Sequence, residues 1–176
     1  MLKGRHFAST IIAIQLASGL PTHAQSPVIT KDPLKDYVKV VLDFKDEPFL
    51  LRGYLKKGKP DVDLYIIKSG HDSDVTFKTA SVRWIDGTLK KPVLNQIDTD
   101  FNCGSVRYGG RCRKTQHMSI AITDSSWNSL TKWAKQNADG SIDFQLQSNY
   151  SDINYQFKLK ADQILRFSEA LTEAGK

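Results

Sequence analysis

Cys103 and Cys112 have eight residues between them, and four cations, Arg107, Arg111, Arg113 and Lys114, crowd into and just beyond that interval with Tyr108 among them. Guanidinium groups fork onto phosphate and carboxylate oxygens through charge-assisted hydrogen bonds. An even, closely spaced cysteine pair with Tyr108, Gly109 and Gly110 between its members predicts a bridged turn in an oxidising compartment. A redox-active pair normally has only two intervening residues, and a zinc site needs more ligands than this spacing supplies. A rigid bridged turn would present its cations at little entropic cost. Arg107, Tyr108, Arg111, Arg113 and Lys114 are therefore the candidate binding residues, and Cys103 with Cys112 the expected disulfide. A solvated charged rim is the plainer account of the same cluster. A second basic group, Arg52, Lys56, Lys57 and Lys59, lies earlier in the chain.

Other reactive residues are sparse. His71 sits in Gly70-His71-Asp72-Ser73-Asp74, but zinc or copper needs three or four ligands in a defined geometry, so an exposed loop histidine is the simpler reading. His117 directly precedes Met118 at the start of an alternating run, which predicts a solvent-facing ring or one making a single hydrogen bond. Asp98-Thr99-Asp100-Phe101-Asn102 starts like a calcium loop. Its sixth position is Cys103 where glycine is required, and its twelfth is Gly109 where a bidentate glutamate is required. A capped turn before a strand fits those residues better. Gly-x-Ser-x-Gly is absent, and Glu47, Glu169 and Glu173 suit a solvated surface. No catalytic residue, metal site or cofactor is expected from the sequence, although paired carboxylates that meet only in the fold are invisible at this level.

The start of the chain bears on where such chemistry would operate. Lys3 and Arg5 precede an apolar run from Phe7 to Leu20, and Thr22-His23-Ala24 offers small residues to a signal peptidase. Residues 1–24 are expected to be a signal peptide, leaving a mature chain of about 150 residues, the size of one domain. Removing Lys3 and Arg5 takes the net charge from +6 to +4. No second apolar stretch reaches transmembrane length. The expected location is periplasmic or secreted, where polyanions are lipid headgroups, envelope polysaccharides or acidic protein faces, and no nucleic acid partner is expected.

Positioning falls to strands first and helices later. Residues 25–36 hold two prolines and little periodicity, which suggests a leader arm, followed by a single domain over 37–176. Tyr37–Phe44, Pro48–Leu55, Asp61–Lys68, Val75–Ile85, Thr88–Leu94, Ile97–Tyr108 and Arg113–Ile122 have strand composition or period-two alternation. In Val75–Ile85, Val75, Phe77, Thr79, Ser81 and Arg83 share one face, and Asp86–Gly87 suits a two-residue turn. Thr123 or Asp124 can cap a helix carrying Trp127, Leu130, Trp133 and Ala134 on one stripe. Ile142–Leu146 and Ile153–Leu159 form the clearest hairpin, and Ala161–Glu173 a closing helix. The expected fold is α+β and β-rich, an antiparallel sheet or sandwich with two helices from the second half packed on it.

The order Cys103, basic turn Arg107–Arg111, Cys112, strand Met118–Ile122, helix Trp127–Trp133, strands Ile142–Leu146 and Tyr155–Leu159, and helix Ile164–Leu171 resembles small exported proteins of Gram-negative bacteria of the invasion-associated locus B type. The resemblance spans roughly residues 97–172, and that family's Gly-Asp-Trp opening with its own cysteine pair is missing here. It implies an envelope or secreted protein that is not an enzyme, supplies no established catalytic residues to carry over, and leaves the activity open. Composition and resemblance together lead to an exported, non-catalytic domain binding a protein or an anionic envelope component. The alternative is a small periplasmic enzyme or enzyme inhibitor whose site forms only in the fold.

Overall fold

The computed structural model describes residues 26–32, 36–70, 75–103, 112–150 and 152–176; the expected signal peptide lies outside them. Among the described residues, ten strands and two helices follow in the order β1 (Val28–Asp32), β2 (Tyr37–Asp43), β3 (Phe49–Lys56), β4 (Lys59–Gly70), β5 (Phe77–Arg83), β6 (Leu89–Lys90), β7 (Asn95–Cys103), β8 (Cys112–Ile122), α1 (Asp124–Gln136), β9 (Ser141–Ser148), β10 (Asn154–Lys160) and α2 (Ala161–Ala174). The strands form a six-stranded sheet, β1-β2-β3-β4-β8-β7, and a four-stranded sheet, β10-β9-β5-β6. All pairings are antiparallel.

Alternation decides which face of the large sheet turns inward. Phe49, Leu51 and Leu55 of β3, Val62, Leu64 and Ile66 of β4, and Met118, Ile120 and Ile122 of β8 are buried. Each such side chain contributes roughly 1.5–3 kcal/mol on leaving water. A second layer of the small sheet and both helices covers this face. Phe144 of β9 stacks on Phe157 of β10 with centroids 5.2 Å apart, and Phe49 of β3 lies 5.2 Å from Phe157. The α1 stripe buries Trp127, Leu130 and Ala134, and Thr123 caps that helix by accepting a hydrogen bond from Ser126 N–H. Trp127 then meets Phe167 of α2 edge to face at 5.6 Å. The expected β-rich α+β architecture with two late helices is the one observed.

Local details differ from expectation. Residues 28–32, expected as part of a leader arm, form β1 and pair with β2 from Val28↔Val41 to Asp32↔Tyr37. An edge strand needs hydrogen bonds on one side only, so the β-branched Val28-Ile29-Thr30 run suffices between its flanking prolines. Phe77 does not share a face with Thr79 and Ser81, because a bulge between Phe77 and Thr79 turns Phe77 inward with Ala80 and Val82. The turn after β5 has three residues rather than two. Trp84 N–H bonds Thr88 O, and Gly87 takes φ +80°, the left-handed conformation that such a loop requires at this position. Residues 98–102 lie within β7, not in a turn before a strand.

Gly53 marks the closest approach of α2 to β3. A Cβ added there would lie 2.7 Å from Leu171 Cδ2 and 3.1 Å from the Phe167 ring. Phe167 is fully buried and cannot swing away. Gly53→Val should therefore overpack this contact and lower stability by about 1–3 kcal/mol. Chemical denaturation measures this, and an unchanged midpoint would show that α2 does not seat on β3 as described.

Candidate functional site

Cys103 and Cys112 form a disulfide, and they stand directly opposite each other at the end of the β7–β8 ladder. Their Cα atoms are 3.9 Å apart, closer than the roughly 4.4–6.8 Å of most bridges. Bonds of this kind form and persist in oxidising compartments. Of the five candidate binding residues, Arg107, Tyr108 and Arg111 lie outside the described residues. Arg113 is exposed on β8.

Lys114 departs from its expected role as a surface cation. It is buried, and its Nζ donates to Val75 O at 3.0 Å and to Thr76 Oγ1 at 2.7 Å. The reason is strand geometry. Residues 114, 116, 118, 120 and 122 share the inward face of β8, so Lys114 and Gln116 extend the row of Met118, Ile120 and Ile122 into the sandwich. Both residues line a mostly apolar cavity of about 230 Å³ with Lys68, Val75, Phe77 and Ile153. Gln116 Oε1 accepts from Phe77 N–H at 3.3 Å, while its Nε2 has no partner among the described residues.

Beside the bridge, β7 is the edge of the large sheet and is exposed at every one of its nine residues. Phe101 is 59% exposed, next to the disulfide, and Lys114 Nζ lies 6.0 Å from its ring centroid. Asp98, Asp100 and a bulge between Gln96 and Asp98 interrupt the middle of the strand. These are the devices by which natural edges discourage unwanted strand pairing.

On the outer face of the same sheet, three residues that are distant in sequence converge. Tyr65 on β4 and His117 on β8 are diagonal neighbours, and their hydroxyl and Nδ1 atoms are 3.2 Å apart. His117 Nε2 lies 3.0 Å from Asp100 Oδ2 on β7. Burial raises the Tyr65 pKa; Arg52 opposes the shift, and the charges of Asp98 and Asp100 reinforce it. The phenol thus keeps its proton and donates to Nδ1, and Nε2–H donates to Asp100, an assignment made from the hydrogen-bond network. His117 accordingly has two partners, more than the single bond expected of it. Arg52 lies 4.7 Å from the Tyr65 centroid and 5.5 Å from that of Tyr54, and it pairs with Asp63 at 2.8 Å. Only proximity across strands reveals this set, because its members are separated by 17 and 52 residues.

Chemically, a Tyr–His–Asp chain can hold and orient a proton. Here it stands on an open sheet face, with the Asp100 side chain 68% exposed and, among the described residues, no serine, threonine or cysteine hydrogen-bonded into it. No group of three or more His, Cys, Asp or Glu side chains suited to a metal occurs among the described residues, and His71 lies outside them. No helix among the described residues is long and apolar enough to cross a membrane. No protein-family model, curated protein or solved structure matches the chain.

Two outcomes follow from this geometry. Replacing both cysteines by alanine should lower stability by about 2.5–3 kcal/mol in the chain-entropy account while the fold remains recognisable by circular dichroism. A double variant as stable as the parent would mean that the bridge constrains nothing. The second outcome concerns alkaline pH. With its native pKa raised above 10.0, Tyr65 holds its proton more tightly when folded. Its contribution is fully present below pH 10 and is lost as pH rises through the native value. Denaturation midpoints should fall more steeply above pH 10 for the parent than for Tyr65→Phe, and parallel profiles would contradict this.

Proposed function

We propose that the mature chain is an exported, non-catalytic binding domain acting in the periplasm or outside the cell. Its recognition surface is the disulfide-closed end of the β7–β8 hairpin, and its partner is an acidic protein or an anionic envelope component. The observation that carries this reading is Phe101, an aromatic ring 59% exposed on a covalently closed hairpin whose loop sequence supplies Arg107 and Arg111. Exposed aromatic and arginine groups on a rigid support are the residues on which binding energy concentrates. Arg113 adds an exposed cation on β8, while Lys114 is assigned to the interior and leaves the surface set. The leader expected over residues 1–24 and the disulfide both support export. The resemblance to exported proteins of the invasion-associated locus B type points the same way.

A second reading, a small periplasmic enzyme or enzyme inhibitor, draws on the Tyr65–His117–Asp100 chain. Neither of the two cavities lined by Lys114 or by Ser81 includes those residues, and an open face does not exclude water in the way proton-transfer chemistry exploits. Capture of partners from the organism's own envelope extract separates the readings. Arg107→Ala with Arg111→Ala, and separately Phe101→Ala, should weaken capture by roughly tenfold, with the double arginine variant also losing salt sensitivity. The melting temperature should stay nearly constant. Undiminished capture by both variants at low and moderate salt would overturn the hairpin assignment. Loss of capture with His117→Ala alone would favour the second reading.

A further inference from the structure

The outer face of the small sheet carries a surface of a different kind. Cross-strand register sets its side chains in three rows: Thr79, Gln147 and Asn154; Ser81, Gln145 and Gln156; Arg83, Asp143 and Lys158. The middle and last rows line a groove of about 560 Å³, with Leu89 along one wall. That volume falls within the roughly 300–1,000 Å³ typical of ligand sites. Ser81 is only 8% exposed and forms the floor.

The hydrogen-bond inventory of the groove identifies its ligand chemistry. Thr79 donates to Gln147 at 3.1 Å, and Lys158 pairs with Asp143 at 3.4 Å. Ser81, Gln145, Gln156 and Arg83 make no side-chain hydrogen bond to any described residue. A serine hydroxyl and two carboxamides each both donate and accept, which is the complement of a run of hydroxyl groups. Arg83 is the cation left over once Lys158 has met Asp143, and its fork suits a carboxylate. Peptides are recognised mainly through free strand edges or apolar side-chain pockets, whereas this is the face of a sheet with Leu89 as its one exposed apolar wall.

We propose that this groove binds an acidic oligosaccharide, with hydroxyl groups along Ser81, Gln145 and Gln156 and a ring carboxylate at Arg83. The site is separate from the bridged hairpin and does not depend on the reading given to it. The test is titration of the mature protein with tri-galacturonate, followed by amide chemical shifts and calorimetry, with methyl-esterified tri-galacturonate and a tri-glutamate peptide as controls. Shifts should concentrate on residues 79–83, 143–147 and 154–158. Gln145→Ala with Gln156→Ala should weaken binding at least tenfold. Arg83→Gln should reduce the affinity for the acid to that of its ester and leave the ester unchanged. Arg107→Ala with Arg111→Ala should bind the sugar as the parent does, so failure of the hairpin reading would not be mistaken for failure here. No binding at millimolar sugar, parental affinity in the double glutamine variant, or equal binding of tri-glutamate would each overturn the proposal.

Discussion

The ladder between β4 and β8, running from Val62↔Ile122 to Gly70↔Lys114, is the constraint on which the remainder of the structure depends. It joins two strands separated in sequence by β5, β6 and β7 and sits near the centre of the large sheet. A slip of one residue would turn Val62, Leu64 and Ile66 from the core to water, so burial holds the register strongly. The same register sends Tyr65 and His117 outward to meet, and Lys68, Gln116 and Lys114 inward to line one cavity. Closing so non-local a pairing costs chain entropy before it is offset by burial, and the apolar row on each strand provides that offset.

The two outer faces are built on different principles. On the large sheet, most polar groups meet one another: the Arg52 guanidinium pairs with Asp63 beside two tyrosine rings, with only its buried Nε lacking a partner among the described residues, and His117 meets Tyr65 and Asp100. Such a connected network orders side chains and leaves few groups seeking a partner. On the small sheet, Ser81, Gln145, Gln156 and Arg83 face a groove without partners among the described residues. The β7 edge lies between these cases, since its bulge and aspartates protect the middle of the strand while Phe101 stands exposed near the bridge. The groups left without partners, unlike those already paired, keep their hydrogen-bonding capacity open to a ligand.

Much of the architecture was legible from alternation, and the misreadings have specific causes. The β9–β10 hairpin and the α1 stripe were plain because their apolar residues recur at a fixed period and face one core. Val28–Asp32 was obscured by its prolines, although an edge position tolerates them. The β5 bulge reversed the side of Phe77, and no periodicity rule anticipates an inserted residue. Lys114 is the instructive case. The alternation of Met118, Ile120 and Ile122, extended backward, would have placed it inside, but its charge argued for the surface. Its aliphatic stem lies within the sandwich while its ammonium reaches Val75 O and Thr76 Oγ1.

By itself, the sequence determined what depends on neighbours a few residues away: which segments extend, which coil, where Thr123 caps a helix, and that Cys103 and Cys112 could close a short loop. Those properties follow from local sterics and from the spacing of apolar side chains. Tertiary structure alone decided which strand lies beside which, and with that the Tyr65–His117–Asp100 chain, the inward turn of Lys114 and the grid of Ser81, Gln145 and Gln156. Strand pairing is a long-range choice among many chemically similar edges. It is settled by the burial of the whole core at once, so no local segment carries its signature.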